Sequence, residues 1–357
     1  MENGKKTDKV VIPTGRAKKI LKKIIQSEPK TVIFFRGGPG IGKSAICAQV
    51  AQEMKIGFKE TFLLTRNPVD FGVPFPDEER RYAKLLPLRD ILPREEVDGK
   101  IGLWFLDEMT SAPQMVQTVA QRIIWDRKIE NEIIPAGWII VAAGNRITDK
   151  GVVYMMPSPL ASRFTVVDIE PELDDWVDNF ALPYGINHEI IAALRMYPEI
   201  LYAFDASKYD GGAFPSPRGY EKVDRKLKAL GYEDEDFYSL IVGDVGMEAS
   251  NKLMSFFRVY SKLPSAEKII NGDIKYDDMK DRNVLFAAVG KVVQYVLDKK
   301  DDKKVVRAFL ENPVMGFPAV FAVMLIKDAL TAGMKQEFVK HLDLIAKVEK
   351  KYGILVK

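Results

Sequence analysis

With 357 residues, 47% of them hydrophobic and 29% charged, the chain has room for two or three compact units and the composition of a globular protein. Lysine and arginine exceed aspartate and glutamate by 53 − 50 = 3, so the mean charge gives no reason to expect a nucleic-acid or membrane-surface protein, although a local basic face is allowed. The single cysteine, Cys47, excludes an internal disulfide and a multi-cysteine zinc site, and His188 and His341 alone offer little to a transition metal.

The start, MENGKKTDKV, lacks the apolar core of a signal peptide, and the longest apolar window, Val314 to Ile326, is too short to span a bilayer. A cytoplasmic chain with no membrane partner is the expectation. Residues 15–30 place Ile20, Leu21, Ile24 and Ile25 at helical spacing among lysines, which predicts a helix with one buried face. TVIFF, residues 31–35, is a run of β-branched and aromatic residues that predicts a strand buried on both faces. KIGLWFLDE, GWIIVAAGN and FTVVDIE repeat that pattern, with helical segments such as SAICAQVAQEM between them, so a parallel sheet covered by helices is expected. After about residue 170 the segments read as helices, interrupted by the turn-rich DASKYDGGAFPSPRG.

Between the first strand and its helix stand Gly37, Gly38, Pro39, Gly40, Ile41, Gly42, Lys43 and Ser44, matching G-x-x-x-x-G-K-[ST] in the context that motif needs. Glycines let the loop turn its N–H groups inward and let backbone approach phosphate oxygens. The helix from Ser44 and Ala45 onward adds the positive end of its dipole. Lys43 is the candidate for the β- and γ-phosphates of a nucleotide, and Ser44 for Mg²⁺. In LWFLDEMT, Asp107 and Glu108 fall at the carboxyl end of a strand, where ligands of open α/β sheets bind. Asp107 is the candidate for the Mg²⁺ hydration shell and Glu108 for the general base that polarises water. Asn145, ending WIIVAAGN, could orient the same water without adding charge.

These residues resemble the AAA+ ATPases, and more narrowly their MoxR-like branch, related to the dynein-type AAA modules. GNRITDKGVVYMMPSPLASRF keeps Asn145, Gly151, Tyr154, Pro157, Leu160, Arg163 and Phe164 in the order of that branch. The likeness covers about residues 10–230. It departs at Ser162, where Asp is usual, and at Arg146, where Pro is common. The resemblance implies an α/β fold, a P-loop AAA+ parallel sheet sandwiched by helices, followed by an α-helical lid and a helical C-terminal region. The expected domains are residues 1–170 for nucleotide binding, 171–265 for the lid and 266–357 for the helical tail. It further implies ATP and Mg²⁺ as ligands, hydrolysis to ADP and phosphate, and a hexameric ring. The implied client is a protein, with a von Willebrand factor A domain protein as possible partner.

By the same resemblance Asn145 is the sensor-1 residue and Arg163 the arginine finger, with Arg146 competing for the finger role. In FPSPRGYEKV, Ser216 as N-cap and Pro217 as first helical residue would present Arg218 as sensor 2. Phe71, Val73 and Phe75 occupy the place of pore-facing loops, with simple packing as the alternative. Cys47 and the pair Met155 and Met156 are expected to pack in the core. Two other functions compete with a protein remodeller: a nucleic-acid-directed AAA+ motor or helicase loader, which would need a basic stripe, and a non-enzymatic nucleotide-gated scaffold.

Overall fold

The computed structural model describes residues 10–28, 30–76, 81–129, 132–149, 154–279 and 281–353. The chain divides into two compact units, one made of the chain up to Pro171 with Phe204–Tyr209, the other of Glu172–Ala203 and the chain from Asp210 onward.

The first unit runs β1 (Val11–Pro13), α1 (Thr14–Ser27), β2 (Ile33–Arg36), α2 (Lys43–Met54), β3 (Gly57–Phe62), β4 (Val73–Pro76), β5 (Ala83–Leu86), α3 (Glu95–Asp98), β6 (Ile101–Asp107), α4 (Gln114–Asp126), β7 (Lys128–Ile129), β8 (Glu132–Ile133), β9 (Gly137–Gly144), α5 (Ser158–Ala161) and β10 (Thr165–Glu170). Among the described residues the main sheet has six strands in the order β1-β10-β2-β9-β6-β3, every pairing parallel. The apolar runs read from the sequence form its interior. Phe34, Trp104, Leu106, Ile140 and Ala142 pack with Val116, Ala120 and Ile123 of α4, while the alternate residues Phe35, Phe105 and Val141 are buried on the opposite face, the side of α2.

The two edge strands, β1 and β3, were not foreseen. β1 is three residues long, and β3 reads GFKETF, whose Glu60 is exposed while Lys59 is partly buried against Asp98 at 3.2 Å, charges that an edge strand allows. Two small antiparallel hairpins, β4 with β5 and β7 with β8, complete the unit.

The second unit is helical, as expected, with α6 (Leu173–Trp176), α7 (His188–Met196), α8 (Pro217–Leu230), α9 (Phe237–Ser261), α10 (Ala266–Ile270), α11 (Arg282–Asp298), α12 (Lys303–Glu311), α13 (Pro313–Gly316), α14 (Ala319–Thr331), α15 (Lys335–Val339) and α16 (Leu342–Tyr352). Two apolar clusters form its interior. One gathers Trp176, Ile190, Tyr220, Leu253 and Phe257, the other Val292, Phe309, Leu325 and Phe338. Helix α11 serves both, giving Ala287 to the first cluster and Val289 and Val292 to the second. Helices α7 and α14 are pinned by a buried fork: Arg195 donates two hydrogen bonds to Asp328, at 2.5 and 2.7 Å. Among the described residues no helix is long and apolar enough to cross a membrane.

Candidate functional site

The sheet register brings the predicted site together. Strands β2, β9 and β6 are neighbours and end at one edge, with Arg36 opposite Gly144 and Leu106 opposite Ala142. The residues that follow each strand therefore meet: the glycine loop after β2, Asn145 after β9, and Asp107 with Glu108 at the end of β6.

Gly37 opens the loop, its N–H directed to the Gly144 carbonyl at 3.4 Å. A Cβ at this position would come within 2.5 Å of Ile41 Cδ1 and 2.6 Å of the Ile169 carbonyl, so only glycine fits against β10. Gly42 precedes α2 with φ 94°, a left-handed conformation glycine adopts at little cost. No side chain caps this helix. Its first-turn N–H groups, which include those of Ser44 and Ala45, lack intrahelical acceptors and so form a ready anion cradle.

Lys43 is buried, and its ammonium donates to the carbonyls of Gly37 at 2.9 Å and Gly38 at 2.8 Å and to Asn145 Oδ1 at 2.9 Å. Neutral oxygens thus hold the charge that phosphate oxygens would take over. The donor set fits a polyphosphate.

The acidic pair is equally confined. Burial pushes the Asp107 carboxyl up to about 6; the Glu108 N–H, donated to Asp107 Oδ1 at 2.8 Å, opposes the shift, the Glu108 charge adds to it, Lys43 opposes it, and Glu60 adds to it. A half-buried carboxylate with raised basicity, close enough to Lys43 to feel its charge, suits a Mg²⁺ ion, which takes one or two protein ligands and the rest from phosphate and water. Glu108 sits at φ 55°, left-handed for a residue with a Cβ, a strain of about 1 kcal/mol of the kind that clusters at functional sites. Its carboxylate accepts from Ser111 Oγ at 2.7 Å and, at 3.4 Å, from Asn145 Nδ2. Ser111 was not singled out from the sequence; its spacing of three from Glu108 was the available signal.

Arg163 and Arg146 have partners of their own within the first unit. Arg163 stands with its guanidinium 4.5 Å from the centroid of Trp125, an exposed ring on α4, and donates to the Pro159 carbonyl. Arg146 is tied into its own sheet, 2.8 Å from Glu170 and 3.3 Å from the Ile169 carbonyl, and lines a cleft of about 410 Å³ together with Asn145, Tyr154 and Asp168. Arg218 belongs to the second unit. There Ser216 caps α8, accepting from the Gly219 N–H at 3.2 Å, and Pro217 is the first helical residue, leaving Arg218 exposed.

Two expectations are corrected and one holds. Phe71 is 2% exposed and packs with Leu63, Ile91 and Leu92, so it is core and not a gripping residue, whereas Phe75 on β4 is exposed. Met155 is exposed, and only Met156 packs against the core. Cys47 is the buried filler anticipated, its thiol pushed up by burial and by nearby carboxylates. Gly151 lies outside the described residues.

No protein-family model and no curated protein matches this sequence. Among solved structures the chain is similar to the RuvB Holliday junction branch migration motor of Thermotoga maritima, at 15% identity and TM-score 0.36, over 80% of this chain and 87% of that one. It is also similar to a protein of Cytophaga hutchinsonii provisionally described as an ATPase, at 15% identity and TM-score 0.34, over 66% of this chain and 82% of that one. A parallel sheet between helices, a glycine loop running into a helix, an acidic pair and an asparagine on adjoining strand ends, and a helical region after them make a P-loop α/β fold, the architecture that the AAA+ resemblance implied.

Proposed function

We propose that this chain binds ATP with Mg²⁺ and hydrolyses it to ADP and phosphate, working as a MoxR-like AAA+ ring, a hexamer by resemblance, that remodels a protein client. One observation carries the hydrolytic reading: Lys43, the first residue of an uncapped helix, is linked by hydrogen bonds through Asn145 to Glu108, the last two following the ends of neighbouring strands.

In this reading Lys43 exchanges the Gly37 and Gly38 carbonyls for phosphate oxygens, and the α2 N–H groups cradle the remaining charge. Ser44 and Asp107 are the residues that would hold Mg²⁺, which when bound neutralises charge on the phosphate oxygens. Glu108 takes the proton of the attacking water while Asn145 fixes its orientation; positioned proton transfer of this kind contributes about 10²–10⁴ in rate. Arg163, on the surface beside Trp125, is the candidate that reaches the nucleotide of a neighbouring subunit, and Arg218 the candidate that reports on the γ-phosphate.

The test is turnover by Glu108→Gln. It should bind ATP with affinity close to that of the unaltered chain and lose at least about 10²-fold in kcat; undiminished turnover sinks the assignment. Held in ATP, the same variant should capture a protein client, among them a von Willebrand factor A domain protein. Recovery of nothing but itself argues against remodelling, and steeply salt-dependent binding of DNA would turn the reading toward a nucleic-acid-directed motor.

A further inference from the structure

We propose that Ser111 is a positioning residue for Glu108, the side chain that aims the general base at its water. The inference rests on the ATPase reading and adds a residue to it.

The turn that follows β6 closes tightly, because Ser111 N and Ala112 N both donate to the Glu108 carbonyl at 3.0 Å. Met109 N donates to the Ala143 carbonyl at 2.8 Å and so fastens the turn to the end of β9. These bonds hold Glu108 in its left-handed conformation and bring the side chains of Glu108 and Ser111 to one side of the turn. Ser111 is 6% exposed, so its hydroxyl has little water to turn to, and it donates to Glu108 Oε2 at 2.7 Å.

The second donor to that oxygen, Asn145 Nδ2, is longer at 3.4 Å and belongs to a side chain that also serves Lys43. Any phosphate that draws Lys43 away changes what Asn145 faces, whereas the Ser111 bond lies within one turn of chain and depends on no ligand. Ser111 is therefore the fixed tether and Asn145 the variable one. A carboxylate held by one short, charge-assisted hydrogen bond keeps a single rotamer and leaves its other oxygen for the proton of water.

The experiment is a kinetic cycle with Ser111→Ala, Ser111→Thr, Glu108→Gln and the double variant Glu108→Gln with Ser111→Ala. Ser111→Ala should lower kcat about tenfold while leaving KM for ATP and the thermal midpoint nearly unchanged. Ser111→Thr, which keeps the hydroxyl, should restore kcat, and in the Glu108→Gln background the loss of Ser111 should have no further effect. A Ser111→Ala protein that turns over like the unaltered chain overturns the tether alone. So does one whose loss persists in the double variant or comes with a lowered midpoint and no rescue by threonine. If the unaltered chain binds ATP and does not hydrolyse it, the ATPase reading fails, and the role of Ser111 fails with it.

Discussion

Lys43 Nζ and Asn145 Oδ1 lie 2.9 Å apart across 102 residues of chain. The bond joins the helix that begins at the glycine loop to the end of β9, and it exists because β2 and β9 are adjacent and in register. Through its other amide atom Asn145 reaches Glu108, so one side chain faces both the Lys43 ammonium and the Glu108 carboxylate.

That position predicts a divided effect for Asn145→Ala. Turnover should fall about 10²–10³-fold, the loss typical of a preorganised donor, while the dissociation constant for ATP changes less than about threefold. Steady-state kinetics with a fluorescent nucleotide titration separates the two. Equal losses in both would make Asn145 a binding group only.

Asp107 should make the ligand-free chain less stable as pH rises. Its folded carboxyl titrates near 6, above the ordinary 3.8, so the protonated form is favoured by folding and stability is lost as pH climbs from about 4 through 6. Asp107→Asn, neutral at every pH, should match the unaltered chain near pH 4 and exceed it by about 2–3 kcal/mol at pH 8. With Mg²⁺ and ATP present the order should reverse, because the variant lacks the carboxylate proposed to hold Mg²⁺. Urea denaturation across pH is the measurement, and a difference that stays constant between pH 4 and 8 contradicts the cause assigned here.

The two candidate fingers make opposite demands. Arg146 is occupied by Glu170 within its own sheet, while Arg163 rests on an exposed indole. Arg163→Ala should therefore reduce turnover about 10³-fold or more without weakening ATP binding, and Arg146→Ala should remain within about tenfold of the unaltered rate. The reverse ranking would reassign the finger to Arg146.

In the helical unit the fork of Arg195 on Asp328 is nearly dry, with side-chain exposures of 8% and 1%. Asp328→Ala strands a guanidinium and should cost about 3–5 kcal/mol in chemical denaturation, whereas replacing the pair together, Arg195→Met with Asp328→Leu, should come close to neutral. A single variant that unfolds at the unaltered midpoint would show that water reaches the pair.

Much of the site was legible because its chemistry is local. Four glycines before a lysine and a serine state a loop geometry that few other purposes require, and Ser216 followed by Pro217 states a helix start; both stand as read. The role of Phe71 was not legible, since an aromatic residue beside prolines suits a gripping loop or a core equally, and only the enclosure by Leu63, Ile91 and Leu92 decides. The same holds for Met155 and Met156, adjacent in sequence, the first exposed and the second partly buried against the core. Ser111 escaped notice because a serine three residues past a glutamate is ordinary until the turn between them is seen to be left-handed at its first residue.

From residue order alone came the buried strands, the phosphate loop, the acidic pair and the change to helices near residue 170, since hydrophobic periodicity and glycine conformation act over a few neighbouring residues. Strand order, the two edge strands, the tether on Glu108 and the engagement of Arg146 and Arg163 came only with the tertiary structure. Each depends on which distant segments pair and in what register, and no local preference carries that information.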